Sequence, residues 1–257
     1  MISYEERGRG PPLVFLHGVG GDAGCWLPQL ETFAEGYRAI AWNMPGYGGS
    51  APLPAMTFPA LANSLRWLLD QLDIERAHLV GHSMGGMVAQ EFAAAFPDRV
   101  RSLVLVATSA AFGRADGGWQ RDFLARRLGP LDRGRTMADL APDLIAGLVG
   151  DAPDPAGLAQ AIRSMGSVPE ATYRAALRCL LTFDRRDGLA RLAVPALLLA
   201  GERDQTAPPA LMERMAARML RAQFLVLPGA GHLVNLEQPG RFNRALAEFL
   251  RESAKAE

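Results

Sequence analysis

The sequence predicts an α/β fold: a mostly parallel central sheet with helices on both faces and one helical insertion. Three observations predict it. Short apolar runs alternate with stretches of helical period along most of the chain, the pattern of strand–helix–strand units. The run Ala77-His78-Leu79-Val80 passes through Gly81-His82-Ser83-Met84-Gly85-Gly86 into an alanine-rich run, Met87 to Phe96, so a serine stands at the apex of a strand–turn–helix. Finally, the alternation stops at about Ala110 and resumes at about Ala196, with only helical periods between.

The turn at Ser83 has glycine two residues to either side. A bend this sharp strains the backbone and presses those neighbours against strand and helix, where a Cβ would clash. The hydroxyl is thereby pushed outward, with a helix amino terminus behind it that favours negative charge.

The totals bound the classes of function. The 257 residues fit one domain, or one with a large insertion. Hydrophobic residues are 49% and charged residues 21% of the chain, an ordinary globular balance. Lys plus Arg and Asp plus Glu each number 27, which argues against a nucleic-acid or anionic-membrane partner. Cys25 and Cys179 are far apart without metal-ligand spacing and read as reduced thiols of a cytoplasmic protein, with a single disulfide left open. The stretch Met1 to Arg7 is charged and unlike a signal peptide, and no apolar run approaches a membrane span. The expected partner is a small-molecule substrate, with homo-oligomerisation left open.

In chain order, Ile2 to Glu6 is expected as an edge strand, and Leu13 to Leu16 as a strand buried on both faces. The loop His17-Gly18-Val19-Gly20-Gly21 follows. It lacks Gly-Lys-Ser/Thr and any Gly-x-Gly-x-x-Gly with a following acid, so it is not a nucleotide cradle. Trp26 to Phe33 reads as a short helix and Tyr37 to Trp42 as a strand. The loop from Asn43 to Ser50 turns the chain without catalytic duty. Leu61, Leu65, Leu68, Leu69 and Leu72 mark a helix packed on the sheet. Beyond the Ser83 turn come a strand at Val100 to Ala107 and four helical stripes, around Trp119, Leu140, Leu158 and Tyr173. Strands at Ala196 to Ala200 and Gln223 to Leu227, and helices at Pro208 to Met219 and Arg241 to Arg251, complete the chain. The core is thus expected over residues 1–110 and 190–257, with 111–189 as the insertion.

A serine hydroxyl at neutral pH needs a base, and the base needs an orienting acid. Of the four histidines, His17 reads as a holder of its loop and His78 as a packing or surface residue. His82 precedes the serine, so its side chain points away from Ser83. His232 follows a late strand in a glycine-bounded loop and is best placed as the base. Asp204 also follows a late strand and is the leading acid, ahead of Glu202, Asp184 and Asp187.

These residues resemble the α/β-hydrolase superfamily across essentially the whole chain. Val80-Gly81-His82-Ser83-Met84-Gly85-Gly86 is similar to its nucleophile elbow, and Ser83, Asp204, His232 follow its triad order. The resemblance implies an α/β-hydrolase fold, oxyanion N–H groups at Val19 and Met84, and a helical cap over 111–189 in which Trp119 is the candidate pocket-lining residue. It implies no metal and no cofactor. The tail Gly231 to Pro239 is similar to the 3-oxoadipate enol-lactonase group, which favours a carboxylic ester or lactone. A carbon–carbon hydrolase of meta-cleavage products is the alternative, weakened by His82 and Leu233 where that group often has Asn and Trp. A perhydrolase would use the same triad, and a slow-turnover small-molecule receptor would keep the fold. Dehalogenases and epoxide hydrolases are disfavoured because their nucleophile is Asp.

Overall fold

The computed structural model describes residues 1–113 and 117–255. Seven strands form one sheet in the order β1-β3-β2-β4-β5-β6-β7. They are β1 (Tyr4–Arg7), β2 (Pro12–Leu16), β3 (Arg38–Trp42), β4 (Ala77–His82), β5 (Val100–Val106), β6 (Ala196–Gly201) and β7 (Ala222–Leu227). β1 runs antiparallel to β3, and every other pairing is parallel.

Period-2 alternation sends the strands' side chains to two cores. Val14, Leu16, Leu103, Leu105 and Leu198 join α2 (Phe58–Gln71), α3 (Met84–Ala95) and α8 (Pro209–Ala216) on one face. Leu13, Phe15, Val104, Val106 and Leu199 join α1 (Leu27–Phe33) and α10 (Pro239–Ala254) on the other. β4 lies at the centre with every residue buried. It is two residues longer than the sequence suggests and delivers Ser83 directly to the start of α3.

Between β5 and β6 stand α4 (Gly118–Asp132), α5 (Met137–Ala146), α6 (Pro155–Ser167) and α7 (Glu170–Leu180), one for each expected stripe. Thr136 and Asp139 form a reciprocal capping box that starts α5. A single turn, α9 (Val234–Glu237), separates the His232 loop from α10. Among the described residues, no helix is long and apolar enough to cross a membrane.

Candidate active site

Ser83 has φ +52° and ψ −118°, a conformation that side-chain-bearing residues rarely hold. The surroundings impose it. The Ser83 N–H donates to the Val106 carbonyl at 2.9 Å. The Thr108 hydroxyl donates to the Ser83 carbonyl at 2.7 Å. A Cβ on Gly85 would fall 2.1 Å from the Leu16 carbonyl oxygen, and one on Gly81 2.5 Å from that of Gly85. Both glycines are therefore steric requirements of the bend.

His232 and Asp204 meet at the ends of neighbouring strands. His232 Nδ1 lies 2.8 Å from Asp204 Oδ2, and their side chains are 5% and 0% exposed. A carboxylate only accepts, so the ring donates from Nδ1 and Nε2 keeps a lone pair. Asp204 Oδ1 accepts from the N–H groups of Thr206 at 2.7 Å and Ala207 at 3.0 Å. Burial alone pushes the Asp204 pKa up. The charge and hydrogen bond of His232, with those two N–H groups, outweigh it and hold the carboxyl below its ordinary value.

Ser83 and His232 line one cavity with His17, Gly18, Val19 and His82. Met84 is fully buried and begins α3, so its N–H has no acceptor within the helix. A Cβ on Gly18 would fall 2.9 Å from Ser83 Cβ, so any side chain there would crowd the serine.

His17 holds its loop as expected. Its Nε2 accepts from the Met44 N–H at 3.0 Å, which leaves Nδ1 to donate to the Gly18 carbonyl at 2.8 Å. His78 is an interior residue whose Nδ1 lies 2.8 Å from Ser102 Oγ. His82 does more than the sequence indicates. Its Nε2–H donates to the His232 carbonyl at 2.8 Å, and the two rings lie 4.9 Å apart. Asn43 braces its loop, accepting from the Ala23 N–H at 2.8 Å and donating to Ser3 Oγ at 2.9 Å. Glu202 accepts from the Gly229 N–H at 3.0 Å in an exposed turn, while Asp184 pairs with Arg186 and Asp187 lies 3.8 Å from Arg218.

The core adds Trp26, Met87 and Leu236 to the wall, and the insertion adds a mainly apolar side: Phe123, Ile145, Leu148, Met165 and Leu177, with Tyr173 and, among the described residues, one guanidinium, Arg127. Arg127 Cζ lies 5.9 Å from the Phe123 ring centroid. Trp119, the expected pocket-lining residue, stands one layer behind the described cavity wall. It stacks on Phe123 at 5.3 Å and 13°, and meets Phe112 edge-on at 5.3 Å, and those two do line the cavity. A tryptophan in a predicted helix gives no sign of which layer it occupies.

Sequence reasoning passed over Glu237. Its buried carboxylate accepts from the backbone N–H groups on either side of His232. The available signal was an acid five positions beyond the base, between Leu236 and Gln238. Among the described residues, no group of three or more His, Cys, Asp and Glu could hold a metal ion. Cys25 and Cys179 are free and buried, and burial pushes their thiols up to about 11 and about 12.

A profile of the alpha/beta hydrolase fold family matches residues 11–239. The chain is 32% identical to 3-oxoadipate enol-lactonase 1 of Acinetobacter baylyi, over 94% of this chain and 89% of that protein. It is 30% identical to the pimeloyl-[acyl-carrier protein] methyl ester esterase of Aeromonas hydrophila, over 97% and 99%. A malate-bound thermophilic esterase from Thermogutta terrifontis superposes with TM-score 0.89 at 31% identity, covering 98% of this chain and 93% of that one.

Proposed function

The chain belongs to the alpha/beta hydrolase fold family, and on that premise we propose that it is a serine hydrolase of carboxylic esters or lactones. One observation carries the reading: a buried His232–Asp204 pair at 2.8 Å opens into the cavity that holds Ser83 at a strained strand–helix apex.

In this reading Ser83 Oγ attacks the carbonyl carbon while His232 Nε2 takes its proton. Asp204 keeps the imidazole in the Nδ1–H tautomer and stabilises the imidazolium. The N–H groups of Val19 and Met84 stabilise the oxyanion, each contributing about 3–4 kcal/mol. The protonated His232 then gives its proton to the leaving oxygen. Water attacks the acyl-enzyme with His232 again as base. The insertion over 111–189 acts as a cap that roofs the pocket, and its apolar wall suits an acyl chain or a lactone ring. Relatives with similar identity are named for a lactone and for a methyl ester, and both names support an ester or lactone as the substrate class.

The test is steady-state hydrolysis of p-nitrophenyl esters from acetate to decanoate, simple lactones and an enol-lactone, neutral and carboxylated. Wild type should turn over part of this panel. Ser83→Ala should abolish turnover without changing the melting temperature, and Asp204→Asn should cost about four orders of magnitude in kcat. Full activity in Ser83→Ala would refute the mechanism. Slow or single turnover on every substrate, with a ligand-dependent rise in melting temperature, would favour the receptor.

A further inference from the structure

The loop that carries His232 is fastened at almost every polar group. The His232 N–H donates to the Leu148 carbonyl at 2.7 Å. Its carbonyl accepts from His82 Nε2 at 2.8 Å, and its Nδ1 meets Asp204 at 2.8 Å. Only Nε2 is left for chemistry. On either side, the Gly231 N–H reaches Glu237 Oε2 at 2.9 Å and Oε1 at 3.1 Å, and the Leu233 N–H reaches Oε1 at 2.9 Å. Three consecutive backbone N–H groups, centred on His232, are therefore held.

Two of the three belong to Glu237, which also reaches the insertion. Its Oε2 accepts from the Gly150 N–H, between α5 and α6, at 2.6 Å. Two backbone bonds reinforce this contact, Asp151 N–H to the Gly229 carbonyl at 2.9 Å and Asp154 N–H to the Glu237 carbonyl at 3.0 Å. The two backbones touch. A Cβ on Gly150 would fall 2.1 Å from the Gly229 carbonyl oxygen, and one on Gly231 2.5 Å from that of Leu148. Glu237 is 4% exposed. Among the described residues it has no cationic partner within 4.0 Å, so backbone N–H groups compensate its charge. Burying a carboxylate is costly unless its oxygens are satisfied. Here the satisfying groups belong to the base loop and to the insertion.

We propose that Glu237 is a positioning residue for His232, and that residues 148–154 of the insertion and 229–237 of the base loop form one rigid body. The proposal rests on His232 being the base. It assigns the insertion a part in the chemistry, because the segment that helps roof the pocket also fixes the imidazole. Any opening of the insertion then occurs away from this seam.

The test uses the full chain. Glu237→Gln and Gly150→Ala are compared with wild type and with Gly166→Ala. An added Cβ at position 166 meets nothing nearer than 3.4 Å, so that control should match wild type. Active sites are counted with a fluorophosphonate, and kcat is expressed per labelled site. Both test variants should lose roughly 100-fold in kcat per labelled site, the cost of an ångström-scale misplacement, with KM within about two-fold. A purely structural Glu237 would lower the melting temperature and the number of labelled sites while per-site kcat stayed at the wild-type value, which overturns the proposal. Native-state hydrogen exchange on wild type gives a readout independent of any variant. The amides of Gly150, Gly231, His232 and Leu233 should open as one unit, and separate opening of Gly150 would sink the rigid-body claim. Wild type that neither labels nor turns over would instead refute the hydrolase reading.

Discussion

At the residue scale, His17 and His82 are held neutral by their surroundings. Burial drives both pKa values down, to about 4 for His17 and about 3 for His82, where the charge of His232 adds to the effect. The unfolded chain binds protons on both rings near pH 6.5, so below that pH it holds more protons than the native state. This contribution to stability is complete above pH 6.5 and is lost as pH falls towards 4 and then 3. Asp204, held below its ordinary value, acts in the same direction at the acid end. The melting temperature should therefore begin to drop between pH 6.5 and 5, before ordinary carboxylates titrate. A flat melting temperature across that window, by calorimetry, would contradict the assignment. The order Ser83, Asp204, His232 was legible because each residue follows a strand. The tie from His82 to His232 was not, because it spans 150 positions and connects side chain to backbone. Glu237 escaped for the same reason, since its partners are N–H groups that every residue carries.

At the element scale, the elbow rests on close backbone approach. Gly85 packs where α3 crosses the end of β2, and a methyl there would meet the carbonyl oxygens of Leu16 at 2.1 Å and His17 at 2.7 Å. Neither can retreat, because both belong to the strand and loop that build the site. Gly85→Ala should cost more than about 3 kcal/mol, among the largest single-substitution effects. Gly36→Ala, where an added Cβ meets nothing within 4 Å, should stay within about 0.5 kcal/mol. Urea unfolding of both variants checks this, and equal losses would mean that the elbow adapts. Buried strands declared themselves through apolar runs such as Leu13 to Leu16 and Ala196 to Ala200. Their ends were less legible. α3 begins at Met84 although Gly85 and Gly86 are poor helix formers, because tertiary packing overrides propensity at the turn.

At the scale of the whole molecule, the reacting groups come from the ends of the sheet, and most of the pocket's apolar wall comes from the insertion. The sequence revealed four helical stripes there and no indication of how they assemble. That depends on contacts between helices, which a period of 3.6 does not encode. Trp119 is the instructive residue. It braces Phe123 and Phe112 from behind, and each such aromatic contact is worth about 0.5–1.5 kcal/mol. Removing it should free Phe123 to change rotamer and widen the pocket on the α4 side. Trp119→Ala should then shift the preferred p-nitrophenyl ester towards longer acyl chains. Activity on the best short ester should fall several-fold, with little change in melting temperature because Trp119 lies outside the sheet's two cores. The comparison is kcat/KM across the acetate-to-decanoate series for wild type and variant. An unchanged profile would mean that Phe123 is held by Arg127 and Phe112 alone, and would remove Trp119 from substrate selection.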